Sequence, residues 1–272
     1  MRQKALVILS GGQDSTTCLF WAQQQGYKEI HAITFDYGQR HIIELEAARK
    51  VAEMAGVTSH EFVEIPNCLK SVSPLTSSND LDKYKDFESM SAEVGSNREK
   101  TFVPMRNALF LTVAANRAEA LGDCDLITGV CQMDNANYDD CRQVFIRATE
   151  MYINTALGHD HRDSNWINIV TPLMWLDKAE TVNLAYELSA KRNAENLMLD
   201  VRENTCWDAL AYSHTSYDGK YPPTDMNHAN VLRAQGFLDA GKPDPLVLRA
   251  VNEGLMDYPE TSNYDAYNGT DV

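Results

Sequence analysis

The sequence predicts an α/β fold, a doubly wound parallel sheet of five strands. Three observations carry this. The first 65 residues read β-α-β-α-β, and such alternation implies parallel strands joined by right-handed crossovers. Further strand and helix patterns follow between residues 106 and 191. The clearest strand, KALVIL at residues 4–9, is apolar without alternation, as a strand covered on both faces must be.

The elements follow in order. Residues 4–9 form the first strand and end in Ser-Gly-Gly. Residues 14–25 form a helix, with Asp14 and Ser15 near its start. Residues 29–35 are the second strand. Residues 41–55 are helical, because Ile42, Leu45, Ala48, Val51, Ala52 and Ala55 recur at three- and four-residue steps. Residues 61–65 are the third strand. Residues 66–100 carry Ser71, Ser73, Ser77, Ser78 and Asn79 with little periodicity, and are expected to form a long loop or excursion. A helix over 106–121, a strand over 125–130, a helix over 140–157, a strand over 166–170 and a helix over 178–191 complete the α/β pattern. This gives one unit at 1–192 and a small C-terminal extension at 193–272, mostly helical or irregular, with a helix near 227–240 and an acidic tail.

Composition bounds the function. Twenty-four basic against 39 acidic residues give a net charge of −15, which disfavours a general nucleic-acid binder. No apolar run reaches the roughly 18 residues of a membrane span, and residues 1–9 show no signal-peptide architecture. A soluble cytoplasmic protein that contacts neither membrane nor nucleic acid is expected. The six cysteines, Cys18, Cys68, Cys124, Cys131, Cys141 and Cys206, include no pair separated by two residues. Free thiols are expected rather than disulfides or a cysteine-only zinc site.

The most informative string is Leu9-Ser10-Gly11-Gly12-Gln13-Asp14-Ser15, between the first strand and the first helix. Open α/β sheets bind ligands at such places. Adjacent glycines let backbone approach phosphates, and the helix N-terminus adds unpaired N–H groups and a positive dipole end. A bare Gly-Gly would be an ordinary turn; Ser-Gly-Gly-x-Asp-Ser is far more specific. It is neither a Walker A loop nor Gly-x-Gly-x-x-Gly.

This string resembles the PP-loop of the N-type ATP pyrophosphatases, which holds the β,γ-pyrophosphate of ATP while AMP passes to a substrate oxygen. Other strings narrow the resemblance: Phe35-Asp36-Tyr37-Gly38-Gln39-Arg40-His41, Thr101-Phe102-Val103-Pro104-Met105-Arg106-Asn107, residues 134–142, Thr171-Pro172-Leu173 and Lys178-Ala179-Glu180. Together they are similar to the 7-cyano-7-deazaguanine synthase (QueC) family over about residues 5–245. The resemblance implies a sheet of order 3-2-1-4-5, a homodimer, and ATP-dependent conversion of 7-carboxy-7-deazaguanine and ammonia to the nitrile, with Mg²⁺ on the phosphates. It implies ATP contacts from Leu9, Ser10, Gly11, Gly12, Gln13, Asp14, Ser15, Phe35, Tyr37 and Gly129. Asp14, Arg106 and Lys178 become the candidate catalytic residues. Gln39, Arg40, Asn107, Tyr138, Asp140 and Arg142 become candidates to bind the deazaguanine, with Asp140 accepting from its amine. Cys141 reads as a structural thiol before a nucleophile.

The sequence departs from the family in three places. Where the family carries four zinc-binding cysteines, this chain has Ser216, Thr224, Asn227 and Asn230, so zinc is expected to be absent and replaced by hydrogen bonds or packing. Met105 stands where the family prefers a small residue. Asn137 and Asp139 stand where it tends to have Gly and Pro. These leave open a relative that stops at the amide. A non-catalytic nucleotide-binding protein and a PP-loop enzyme acting on RNA are the other readings, opposed respectively by the intact loop and by the acidic charge.

Overall fold

The computed structural model describes residues 2–269 apart from 39–42, 67, 70, 72, 77–79, 96, 134–136 and 200. Five parallel strands form one sheet: β1 (Lys4–Ile8), β2 (Glu29–Asp36), β3 (Ser59–Glu64), β4 (Cys124–Ile127) and β5 (Ile169–Val170). Their order is β3-β2-β1-β4-β5, so the expected 3-2-1-4-5 arrangement holds. The direction of winding reverses at β1, which opens a crevice beyond its C-terminal end.

Helices cover both faces. Ala5 and Val7 of β1 pack on α1 (Gln13–Gln24), α2 (Ile43–Ala55) and α6 (Lys178–Leu199) through Leu19, Ala48, Val51 and Val182. The intervening Leu6 packs on the other face with α4 (Arg106–Leu121) and α5 (Gln143–Leu157) through Leu111, Ala114, Ile146 and Ile153. Successive strand residues point to opposite faces. Both faces are buried here, so β1 shows no polar alternation.

Several boundaries differ from the sequence expectation. The excursion at 66–100 contains a helix, α3 (Phe87–Val94), with a capping box between Asp86 and Ser89. Its eight residues are too few for a helical period to stand out. The fourth strand ends at Ile127, and Gly129 and Val130 line the crevice instead. The fifth strand shortens to two residues, because only Ile169 and Val170 find partners in β4. A 3₁₀ turn at Asp139–Cys141 precedes α5, which starts at Gln143.

Helix α6 runs through residue 192, where the sequence analysis ended the first unit. Beyond it lie α7 (Cys206–Leu210), α8 (His228–Asp239), α9 (Pro245–Asn252) and α10 (Asp265–Asn268). Cys206, Ala209, Leu210 and Phe237 belong to the same core cluster as Ala5 and Val7. The C-terminal part is a set of short helices and irregular segments, as expected, and it packs into the main core. Among the described residues, no helix is long and apolar enough to cross a membrane.

Gly11 sits at a φ of +82°, the left-handed region open to glycine. A Cβ there would lie 2.6 Å from both Ala48 N and Glu44 O of α2. Gly11→Ala is therefore expected to lower the melting temperature by several degrees and to abolish ATP-dependent turnover. Thermal denaturation and an AMP-release assay check both; an unchanged melting temperature would contradict the packing described.

Candidate active site

A cavity of about 310 Å³ opens at the C-terminal ends of β1, β2 and β4. Its floor is the loop between β1 and α1. The Ser15 hydroxyl accepts from Ser10 N at 3.2 Å and lies 3.1 Å from the Ser10 hydroxyl, so the loop closes on itself. Ser15 Oγ and Thr16 Oγ1 both donate to Gly12 O, at 3.2 and 2.8 Å. Gly12 is the N-cap of α1 and offers no side chain to cap the helix. The first-turn amides remain available to an anion, helped by the helix dipole.

Glycines allow the close approaches around this loop. Gly11 presses on α2, and its carbonyl accepts from His214 N at 2.8 Å. A Cβ on Gly129 would lie 3.0 Å from the Asp14 carbonyl carbon and 3.1 Å from Ser15 N, so the chain leaving β4 runs directly against the start of α1. Leu9, Ser10, Gln13, Asp14 and Ser15 line the cavity; Gly11 shapes it from behind.

Two cations enter the cavity from other elements. Lys178, the first residue of α6, contacts both Asp14 carboxylate oxygens at 2.9 and 3.1 Å. Gly236 of α8 makes room for it, since a Cβ there would strike the Lys178 side chain and come within 3.2 Å of its carbonyl carbon. Arg106, the first residue of α4, sits among Tyr37, Tyr138 and Tyr217. Burial opposes its charge, but the three phenols outweigh burial and raise its pKa further. Among the described residues, no carboxylate lies within 4.0 Å of its guanidinium. An arginine held in a cavity without a carboxylate partner is a receptor for an anionic ligand.

An aromatic wall completes the crevice. Phe35 and Phe110 stack at 4.3 Å with 7° between ring planes, and Tyr37 lies 5.5 Å from Phe110. Such a surface suits a planar heterocycle. Tyr138 lines the opposite side, its hydroxyl bonded to that of Thr101. Burial first, and then Tyr217 and Glu99, push the Tyr138 phenol well above its usual range, so it stays protonated.

The structure thus brings together at one cavity Leu9, Ser10, Gln13, Asp14, Ser15, Phe35, Tyr37 and Gly129 with Arg106, Asn107, Tyr138, Arg142 and Lys178. Arg142 is half-exposed and 3.5 Å from Asp139. Asp140 is buried behind the wall, where it accepts from Asn107 N at 3.3 Å and holds the start of α4. Burial raises its pKa, while Arg106 draws it down. Gln39, Arg40, His41 and residues 134–136 lie outside the described residues. Met105 has a left-handed φ of 65° and is 68% exposed, and its side chain does not line the cavity.

Sequence reasoning missed Glu44, Tyr217 and His228, which also line the cavity. Glu44 lies three residues beyond the Phe35–His41 string and Tyr217 next to Ser216, both outside the strings quoted above. His228 is reached through α8, whose fold placement no local pattern reveals. Its ring is buried, Nε2 has no partner among the described residues, and burial lowers its pKa.

Three of the four positions expected to replace cysteines form a group. Thr224 is exposed, whereas Ser216, Asn227 and Asn230 are buried around Asp225. Ser216 Oγ donates to Asp225 Oδ1 at 2.7 Å, Asn230 Nδ2 donates to the same oxygen at 2.6 Å, and Asn227 Nδ2 donates to Oδ2. Hydroxyl and amide groups already bonded to a carboxylate do not suit zinc, which takes thiolate, imidazole or free carboxylate. Nearby, Arg233 grips Asp244 through two bonds of 2.6 and 2.8 Å and also donates to Ser213 and Thr215. Two buried carboxylates therefore organise the segment.

A parallel sheet in this order, with a phosphate loop after β1, defines the PP-loop class of nucleotide-binding α/β proteins. A family model described as queuosine biosynthesis protein QueC matches residues 4–240. The 7-cyano-7-deazaguanine synthase of Gloeobacter violaceus is 48% identical over 90% of this chain and 95% of its own length. Those of Chromobacterium violaceum and Laribacter hongkongensis are 42% and 43% identical, over 92% and 91% of this chain and 96% and 95% of their own lengths. The chain belongs to the QueC family.

Asp225→Ala removes the shared acceptor of three buried donors. It is expected to cost about 3 kcal/mol, seen as a melting-temperature drop of roughly 5–10 °C. A chelator is expected to leave the melting temperature of the parent protein unchanged. A large chelator effect would contradict the carboxylate-centred arrangement.

Proposed function

We infer that the chain is an ATP-dependent enzyme that converts 7-carboxy-7-deazaguanine and ammonia to 7-cyano-7-deazaguanine, the product named in its relatives. The observation that carries this reading is one cavity holding both a phosphate loop whose N-cap is Gly12 and Arg106, which has no carboxylate within 4.0 Å among the described residues. The relatives' shared name does not favour an amide-only relative or a non-catalytic nucleotide binder.

The chemistry follows from the poor electrophilicity of a carboxylate. Arg106 would hold the acid's carboxylate while one of its oxygens attacks the α-phosphorus of ATP. The loop amides of residues 12–15 would bind the departing pyrophosphate. Lys178 would offset charge that develops between the phosphates. Ammonia then displaces AMP to give the amide. A second adenylation, on the amide oxygen, allows elimination to the nitrile. The wall of Phe35 and Phe110 and the Tyr138 side would take the two ring systems.

Magnesium fits the donor set at the loop. Asp14 is one carboxylate facing the phosphate site, and Mg²⁺ is commonly held by one or two carboxylates together with phosphate oxygens. Asp14 would hold the ion, which would supply charge neutralisation to the polyphosphate. Self-association into a homodimer also has support: Leu197, Met198 and Leu199 form an exposed apolar end on α6. We place the product in queuosine biosynthesis, following the family description.

Purified protein incubated with Mg-ATP, ammonium and the deazaguanine acid is expected to yield the nitrile and AMP by mass spectrometry. Arg106→Ala should lower kcat/KM for the acid by roughly 100-fold. Lys178→Ala should lower kcat by a similar factor. AMP release that does not depend on the acid, or amide as the end product, would contradict the assignment.

A further inference from the structure

The proposed reaction needs a base that Asp14, Arg106 and Lys178 do not supply. At neutral pH ammonia is held mostly as ammonium, much as lysine is held protonated, and ammonium has no lone pair to attack an acyl carbon. Asp14 is paired with Lys178 and, with ATP bound, is assigned to the metal ion rather than to proton transfer. The need returns when the nitrile forms, because a proton must leave nitrogen as AMP departs.

Glu44 is placed to answer it. The residue lies in the first turn of α2 and lines the same cavity. Its backbone is pressed against the phosphate loop at Gly11. Among the described residues its carboxylate makes no hydrogen bond and no ion pair. The groups facing it are Arg106 from α4, Tyr37 after β2 and Tyr217 from the segment after α7. His214 and the Asp14–Lys178 pair share the cavity. Burial raises the Glu44 pKa from 4.5 to about 7, with Arg106 pulling it back. A carboxyl group poised there is largely able both to take a proton at neutral pH and to return it. A carboxylate kept half-buried without a donor has no stabilising role in the fold, which leaves its chemistry to account for it.

We propose that Glu44 is the general base of the reaction, taking a proton from ammonium before the attack and from the nitrogen of the adenylated amide as the nitrile forms. This rests on the reading that Arg106 holds the substrate carboxylate, since Arg106 is the cation Glu44 faces. In the first step one N–H bond of ammonium breaks and its proton goes to the Glu44 carboxylate. The freed lone pair forms the C–N bond, the C–O bond to AMP breaks with its electron pair leaving on AMP, and the surplus proton on nitrogen passes to solvent. In the second step Glu44 has returned its first proton to solvent. Adenylation of the amide oxygen makes the nitrogen acidic, one of its two N–H protons passes to solvent, and Glu44 takes the other. That electron pair becomes the third carbon–nitrogen bond, and the C–O pair leaves with AMP.

The test compares the parent with Glu44→Gln in two assays. The first is acid-dependent exchange of pyrophosphate into ATP without ammonium, which reports adenylation alone. The second is product formation against ammonium concentration and pH. Exchange is expected to persist in Glu44→Gln, which also shows that the variant folds. Product formation at pH 7 should fall about 100-fold. The rise in rate that the parent shows through pH 7 should disappear, and the shortfall should narrow at higher pH as free ammonia accumulates. Product formation within about threefold of the parent would overturn the proposal. So would a loss of exchange as deep as the loss of product, which would place Glu44 in binding the acid. Absence of exchange in the parent would overturn the reaction itself, and the role of Glu44 with it.

Discussion

A phosphate loop must leave backbone amides unpaired and still hold one shape, and the rest of the molecule is arranged around that demand. The loop lies where the winding of the sheet reverses, at the C-terminal end of β1. Close packing adds to the Ser10–Ser15 hydrogen bonds in fixing it. Gly11 presses on α2, Gly129 passes against the first turn of α1, and Gly236 clears space for Lys178. Each is a place where a Cβ would collide, so three elements close around the loop through residues that have none. The cations follow the same logic. Lys178 and Arg106 each begin a helix, and helix starts are the points of α6 and α4 that face the crevice.

The C-terminal segment is held by charge of the opposite sign to a metal. A cation such as zinc gathers anionic or lone-pair ligands; Asp225 gathers N–H and O–H donors. Ser216, Asn227 and Asn230, where the family resemblance implies cysteines, each donate to this carboxylate. Asp244 repeats the device on the far side of α8, joining the start of α9 to Arg233 of α8. Buried ion pairs contribute modestly to net stability but are costly to break from one side. The segment is thus fixed in one geometry, which matters because α8 carries His228 and Gly236 to the cavity.

Much of this was legible in the residues, for identifiable reasons. The central strands β2, β1 and β4 are short, mostly apolar runs buried on both faces, and their pattern is read without knowledge of partners, whereas the edge strand β3 is only partly buried. The loop string announces its place because glycines and a helix start must adjoin there. The excursion at 66–100 was legible only as irregular, since the eight residues of α3 span barely two turns. The C-terminal helices were less visible still, because their apolar positions meet the main core through Phe237 and Leu210 rather than forming a periodic face of their own. Asp225 could not be found from the cysteine replacements, as its role depends on three side chains converging in space. Glu44 was hidden differently: its sequence position suits an exposed first turn of a helix, and only the fold turns it inward.

The central claim is that one cavity holds the polyphosphate on the loop between β1 and α1 and the acid on Arg106. A structure with a non-hydrolysable ATP analogue and the deazaguanine acid tests it most directly. The account predicts phosphate oxygens at about 3 Å from the amides of residues 12–15, and the acid's carboxylate within hydrogen-bond reach of the Arg106 guanidinium. Phosphates bound away from the loop, or an acid whose carboxylate avoids Arg106, would contradict it.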